Sequence, residues 1–388
     1  MKKLMTLAVA LFAVFTLSAC GEDPVEGDTY LEFNPYEGVD WENVDHMLSN
    51  LHTHTDHSTD DGEGAAHTVI DNYQQAGYGA LALTDHDYMI TGRTPTFDTT
   101  PYPWTELSSI HHDHWEDRDP DEVGMIAIDG VEFSDAHHFV GLWTGFLPDY
   151  NPDGNADLEY LNRLIDDSLD DNSDALFFMA HPGRYTDDDY PVPDEGDFSL
   201  EWYQSLYDDY EEMIGIEIIN TNDRHPYDRH LWDQLLETYM PERPLWAFAN
   251  DDYHGDSMEE LGWSKNVALM EDTSDEAEFR QNLIDGKFYA QYTRTERTYA
   301  PMIEEIIVDE DQRTIEIVVE GEYDRIKWYG GYDYDDGLPN LVQTGETFQY
   351  NEYEGNYIRV EVVINEGGFE HGETVLQPFG FVQDPDRD

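Results

Sequence analysis

Between Leu51 and Gly62 the chain places three imidazoles and three carboxylates: His52, His54, Asp56, His57, Asp60 and Asp61 stand among Thr, Ser and Gly.

 The segment opens apolar and closes on turn residues, as a strand does when it runs into a loop. Two His at i and i+2 face the same side of a strand because the side-chain period is two, so His52 and His54 can hold one cation between them. Neutral imidazole is the commonest nitrogen ligand for transition metals, and a carboxylate adds a harder oxygen. A His-x-His pair also fits a solvated strand end, so the decision rests on what else reaches the same place.

Other short apolar runs end in the same chemistry. Gly79 to Thr84 exits into Asp85-His86-Asp87, Met125 to Val131 ends on Glu132, and His137-His138 open the run that reaches Leu142. Ala175 to Ala180 exits into His181-Pro182-Gly183-Arg184, and Leu245 to Ala249 exits into Asn250-Asp251-Asp252-Tyr253-His254. The candidate metal ligands are therefore His52, His54, Asp60, His86, Glu132, His138, His181, Asp252 and His254. His111, His112 and His114 lie in a long irregular insertion, Met89 to Glu122, and read as solvated. Asp149 to Asp157 fits the first nine positions of a calcium loop, but Tyr160 stands at position twelve where a bidentate Glu is needed, so it reads as a turn.

The elements that must position these residues follow from periodicity. Helical spacing covers Ala65 to Gln75, Leu158 to Leu169, Asp228 to Tyr239 and Asp275 to Gly286, and a further strand, Ile214 to Ile219, contains Glu217. Strands alternating with helices predict an α/β fold with a parallel sheet and right-handed crossovers. In a closed βα barrel the carboxyl ends of all strands meet at one face, which would bring the candidates together. After Tyr299 the texture changes to short, partly alternating runs between Gly and Asp turns, predicting a small antiparallel β-sandwich-like domain over 299–388.

Composition narrows the partners. Nineteen Lys and Arg stand against 87 Asp and Glu, a net charge of −68, with 39% hydrophobic and 13% aromatic residues. Aromatics at that level argue for a folded chain with a very acidic surface rather than disorder. Such a surface repels phosphate backbones, so binding to long nucleic acid is disfavoured. The single cysteine, Cys20, permits no intrachain disulfide. It follows Lys2-Lys3 and an apolar run to Leu17, and Leu17-Ser18-Ala19-Cys20 looks like a bacterial lipoprotein box. The expectation is a signal peptide over 1–20, an acidic tether over 21–45, and a lipid anchor at Cys20 on the outer membrane or cell surface.

Leu51-His52-Thr53-His54, Thr84-Asp85-His86-Asp87, Gly130-Val131-Glu132, Ala180-His181-Pro182 and Asp252-Tyr253-His254-Gly255 together resemble the motifs of the PHP (polymerase and histidinol phosphatase) family, over roughly Met47 to Thr298. The resemblance implies a distorted (β/α)7 TIM-like barrel over 46–298, a trinuclear site of zinc, manganese or iron, and phosphoester hydrolysis. It implies that His52, His54, Glu132 and Asp252 hold one metal, that Glu132 bridges to a second held by His138 and His181, and that Asp60, His86 and His254 hold the third. Asp61 or His57 could replace Asp60, and His137 could replace His138. Arg184, three residues after His181, is a candidate clamp on a phosphate oxygen, with a surface ion pair as the plainer reading; Arg224 and His225 have the same status. Asp85 is placed to orient a ligand from behind. The expected substrate is a small phosphorylated metabolite or nucleotide. Alternatives are an exonuclease, another metal-dependent hydrolase, or a non-catalytic surface lipoprotein binding metal or glycan.

Self-repulsion in so acidic a chain is relieved by counterions. Urea midpoints measured across a salt series are therefore expected to rise with sodium chloride; a midpoint that falls on adding salt would count against a salt-adapted surface.

Overall fold

The computed structural model describes residue 25 and residues 27–56, 62–86, 103–110, 114–134, 137–146, 158–186, 190–193, 196–258, 261–295 and 299–383. The signal peptide with Cys20, the contested loop residues His57, Asp60 and Asp61, the pair His111 and His112, and the Asp149 to Asp157 turn lie outside the described residues.

The chain begins with β1 (Thr29–Phe33), inside the stretch expected to be a tether. Acidic punctuation hides its Tyr-Leu-Glu-Phe alternation. Tyr36, just beyond, is buried, donating its hydroxyl to the Phe288 carbonyl at 3.2 Å and accepting from the Gln377 amide at 2.9 Å. There follow β2 (Asp45–Asn50), α1 (Ala66–Gln75), β3 (Ala80–Leu83), the short helices α2 (Leu107–Ile110) and α3 (Pro120–Val123), β4 (Ile126–Phe133) and β5 (Phe139–Leu142). Then come α4 (Leu158–Asp171), β6 (Leu176–Met179), α5 (Gly183–Thr186), α6 (Leu200–Asp209), β7 (Met213–Asn220), α7 (Asp228–Tyr239) and β8 (Trp246–Asn250). The hairpin partners β9 (Ser264–Met270) and β10 (Phe288–Thr293) enclose α8 (Glu276–Asp285). The last strands are β11 (Met302–Asp309), β12 (Thr314–Glu320), β13 (Arg325–Asp333), β14 (Leu338–Thr344), β15 (Thr347–Gln349), β16 (Tyr357–Ile364) and β17 (Gly372–Gln383).

The fold is mixed α/β with one large sheet, in the order β14-β13-β16-β17-β10-β9-β2-β3-β4-β5-β6-β7-β8, with β1 on β17. β2, β3 and β4 are parallel, as are β6, β7 and β8. The expected parallel series is broken at β5, which runs antiparallel to both neighbours. Only residues 134–138 join β4 to β5, and a parallel return needs a crossover of a dozen or more. Thr53, beyond β2, forms a parallel bridge with Tyr253, beyond β8, and the His54 amide donates to the Tyr253 carbonyl at 2.8 Å. The exits of the first and last strands of the β2 to β8 run thus lie side by side.

The central strands are buried on both faces: Phe177 and Met179 of β6 share one core with the helices, and Leu176 and Phe178 belong to another. Leu161, Leu164 and Ile165 of α4 and Trp232, Leu235 and Leu236 of α7 follow the i, i+3, i+4 stripe of a packed helix and share the first core with Phe177 and Ile216. The strands after Tyr299 are antiparallel and continue the same sheet through the β10–β17 pairing. The sheet β11-β12-β15 packs its Ile315, Ile317 and Phe348 in one cluster with Trp328, Val360 and Phe379 of that extension. No helix among the described residues is long and apolar enough to cross a membrane.

A buried ionic latch fastens α7 to β16. The Arg359 guanidinium donates to both Asp233 oxygens, each at 2.8 Å, and to Glu361 Oε1 at 2.7 Å, while the Tyr357 hydroxyl donates to Asp233 Oδ1 at 2.8 Å. Removing one partner of such a pair leaves an uncompensated buried charge. Asp233→Ala is expected to lower the urea-derived stability by about 3–5 kcal/mol; a loss within error of zero would show the latch to be dispensable.

Candidate metal centre

β4 delivers Glu132, 1% exposed, to the middle of a ring of imidazoles. Its Oε1 lies 2.6 Å from His138 Nδ1, 3.1 Å from His181 Nε2 and 3.3 Å from His52 Nε2. Its Oε2 lies 2.7 Å from His86 Nε2 and 3.3 Å from His54 Nε2. Asp252, beyond β8, turns Oδ1 to His54 Nε2 at 3.1 Å, to His52 Nε2 at 3.4 Å and to His254 Nδ1 at 3.5 Å. Donor atoms of His52, His54, Glu132 and Asp252 all lie within 4.8 Å of one another, as do those of His86, Glu132 and His138 and those of His54, His86 and His254.

Strand exits explain the convergence. β2, β3, β4, β6 and β8 run in one direction, so the residues following them emerge at one end of the sheet. His138 reaches that end from the start of the reversed strand β5, which begins where β4 finishes. Two of these residues hold unusual backbone: His181 has φ 28° and Asp252 φ 47°, the left-handed region that costs a non-glycine residue of order 1–3 kcal/mol. The surrounding bonds hold them there. The His181 amide donates to Glu217 Oε2 at 3.0 Å, and Asn220 Nδ2 and the Arg224 guanidinium both bind Asp252 Oδ2.

Glu217 was not among the sequence candidates, yet it organises the floor. Its Oε1 accepts from His52 Nδ1 at 3.2 Å and from Asn250 Nδ2 at 3.0 Å, and its Oε2 also accepts from Asn220 Nδ2 at 2.9 Å. A single carboxylate in a strand buried along its whole length was the available signal, because such a group must be fully partnered.

The donor set fits divalent cations. With Nδ1 of His52 committed to Glu217, Nε2 is the nitrogen left to face a cation; it is buried between two carboxylates and makes no hydrogen bond. A carboxylate behind an imidazole is the recurrent support for a metal-bound histidine. His254 Nδ1 is likewise 2.7 Å from the Asp252 carbonyl oxygen, which leaves Nε2 as its ligating nitrogen. A cation binding at His52 takes the place of a proton there. Burial alone would push the Glu132 carboxyl up, but His138, His52 and His86 hold it well below the usual range, and His52 and His54 do the same for Asp252. Burial pulls His52 down, and Glu132, Asp252 and Glu217 together outweigh it and raise it well above its ordinary value. Burial and the neighbouring His254 instead push His54 down to about 4, so its imidazole is neutral and ready to ligate at pH 7.

Eight of the nine candidate ligands, all but Asp60, therefore come together, and Asp60 lies outside the described residues. His137 turns away: its Nε2 is 2.8 Å from the Tyr203 hydroxyl, and its ring stacks on Tyr185 at 4.2 Å. Asp85 accepts from the amide and hydroxyl of Thr55, both at 2.7 Å, and so anchors the residue after His54. Arg184 is exposed on α5. Half-exposed Arg224 is the arginine that reaches the cluster, through Asp252. His114 lies apart, 2.7 Å from Asp56 Oδ2.

No family model and no curated relative matches the chain. Among solved structures that match, an amidohydrolase from Chromobacterium violaceum, determined with bound sulfate and no metal, is 18% identical, with the match covering 53% of this chain and 87% of that one at a TM-score of 0.31. A likeness of that size carries no argument about fold or activity.

Glu217→Gln keeps the volume and removes an acceptor from His52. It is expected to weaken zinc binding about 10–100-fold in equilibrium dialysis while near-ultraviolet circular dichroism stays unchanged; undiminished zinc affinity would remove Glu217 from the account.

Proposed function

We propose that the chain is a metal-dependent hydrolase of the PHP type, a phosphoesterase acting on a small phosphorylated metabolite or nucleotide, with β2 to β8 as its distorted (β/α)7 barrel. The observation that carries this reading is one buried carboxylate, Glu132, shared among five imidazole nitrogens with Asp252 beside them. His52, His54, Glu132 and Asp252 would hold one divalent ion, Glu132, His138 and His181 a second, and His86 and His254, with an acid of the loop such as Asp60, a third. Bound there, zinc, manganese or iron would lower the pKa of water and neutralise charge on a phosphoryl group, the two needs of one of the slowest uncatalysed hydrolyses.

The chain's own residues prepare that chemistry. Glu132 and Asp252 are kept ionised in a buried setting, and Glu217 holds the proton on the outer nitrogen of His52. Arg224 stands at the rim with a charge-assisted bond to Asp252 and 48% of its side chain exposed, where it can also meet an entering phosphate oxygen. The acidic surface selects against long polyanions and favours small esters. With Cys20 lipidated, the enzyme would work at the outer membrane or cell surface.

Replacing His52 and His54 together by alanine is expected to abolish both metal content, measured by mass spectrometry of the purified protein, and hydrolysis across a panel of sugar phosphates, nucleotides and oligonucleotides. Turnover retained by a metal-free double variant would sink the reading, as would a metal-loaded wild-type protein that cleaves only amides.

A further inference from the structure

The connection between β7 and α7 serves two places. Asn220 and Arg224 grip Asp252, whereas Asn222, Asp223 and Pro226 line a separate cavity of about 580 Å³ in which none of the candidate ligands takes part. That volume lies in the range of roughly 300–1,000 Å³ typical of ligand pockets. The extension strands contribute Lys327 from β13, Glu361 and Val363 from β16, and Glu373 from β17.

The two buried cations of this cavity are already paired. Arg229 Nη1 is 2.9 Å from Asp223 Oδ1 and its Nη2 is 3.3 Å from Glu373 Oε2. Lys327 Nζ binds Glu366 and lies 3.7 Å from Glu361 Oε2. An entering anion would meet the carboxylates Asp223, Glu361, Glu366 and Glu373, and an entering cation would meet Arg229, Lys327 and Arg294. A purely apolar occupant would strip water from these ion pairs without replacing its hydrogen bonds. What remains is a neutral ligand rich in hydroxyls. A carboxylate or guanidinium presents two adjacent acceptors or donors in one plane, and neighbouring hydroxyls, each both donor and acceptor, match that spacing. Half-buried Trp263 lines the same cavity, and Arg294 stands exposed on it.

We propose that this cavity, walled by Trp263 and floored by the Arg229–Glu373 and Lys327–Glu361 pairs, is a binding site for a neutral saccharide. It stands independently of the metal centre. Calorimetric titration of the full-length protein with glucose, galactose, N-acetylglucosamine and cellobiose, alongside inorganic phosphate and glycine, tests it. At least one sugar is expected to bind saturably and more tightly than phosphate or glycine. Trp263→Ala should weaken that sugar about five- to ten-fold, the size of one aromatic contact, and Trp263→Phe should weaken it less. Arg294→Ala, on an exposed residue whose guanidinium also donates to the Gly368 carbonyl, should also weaken it while metal content and near-ultraviolet circular dichroism stay unchanged. Absence of binding by every sugar, preference for phosphate or glycine, or sugar binding indifferent to Arg294→Ala and to any folded Trp263 variant would overturn the proposal.

Discussion

A carboxylate with almost no solvent exposure stays ionised only if positive charge or dense hydrogen bonding surrounds it. Glu132 is that carboxylate, and much of the fold around it can be read as its environment. Its five imidazoles arrive from four places, His52 and His54 after β2, His86 after β3, His181 after β6 and His138 before β5, so the strands whose exits carry them must lie in one sheet and point the same way. The exception, β5, reverses so that its first residues, not its last, reach the same rim. Glu217 then fixes the floor by tying His52, His181, Asn220 and Asn250 to one side chain. The left-handed backbone at His181 and Asp252 is the local strain such an arrangement stores.

Much of this was legible because ligand residues sit where apolar runs stop. His52, His86, Glu132, His181 and Asp252 each follow a short run of buried residues, and helices such as α7 showed their full stripe. What was hidden had physical causes. The direction of β5 depends on the length of a connection and not on any residue pattern. α6 buries Trp202, Tyr203, Leu206 and Tyr207, and aromatics mask helical periodicity because they suit strands equally well. β17 contains Pro378 and Gly380, which read as turn signals; a register shift opposite Ile358 and Val360 accommodates the proline. Glu217 and Arg224 act through other side chains, and spacing along the chain does not reveal that.

The charge of the chain is divided between two roles. On the surface, carboxylates face water and one another, and screening decides their cost. Inside, acids such as Asp233, Glu361 and Glu373 are each matched by a guanidinium or ammonium, so the scarce basic residues Arg229, Lys327 and Arg359 are committed to holding strands and helices together. Salt therefore bears on the first population far more than on the second.

β1 at residues 29–33 pairs with the far end of β17, at residues 380–383. The first and last described strands are thus paired with each other, with nearly the whole described chain between them in sequence. Contacts of such sequence separation carry a large loop-closure cost. As the chain is made, every strand that carries an imidazole of the cluster, and β8 with it, precedes the strand that completes the extension beside α7. The metal cluster and the β1–β17 pairing therefore draw on different stretches of the chain, the second on its two ends.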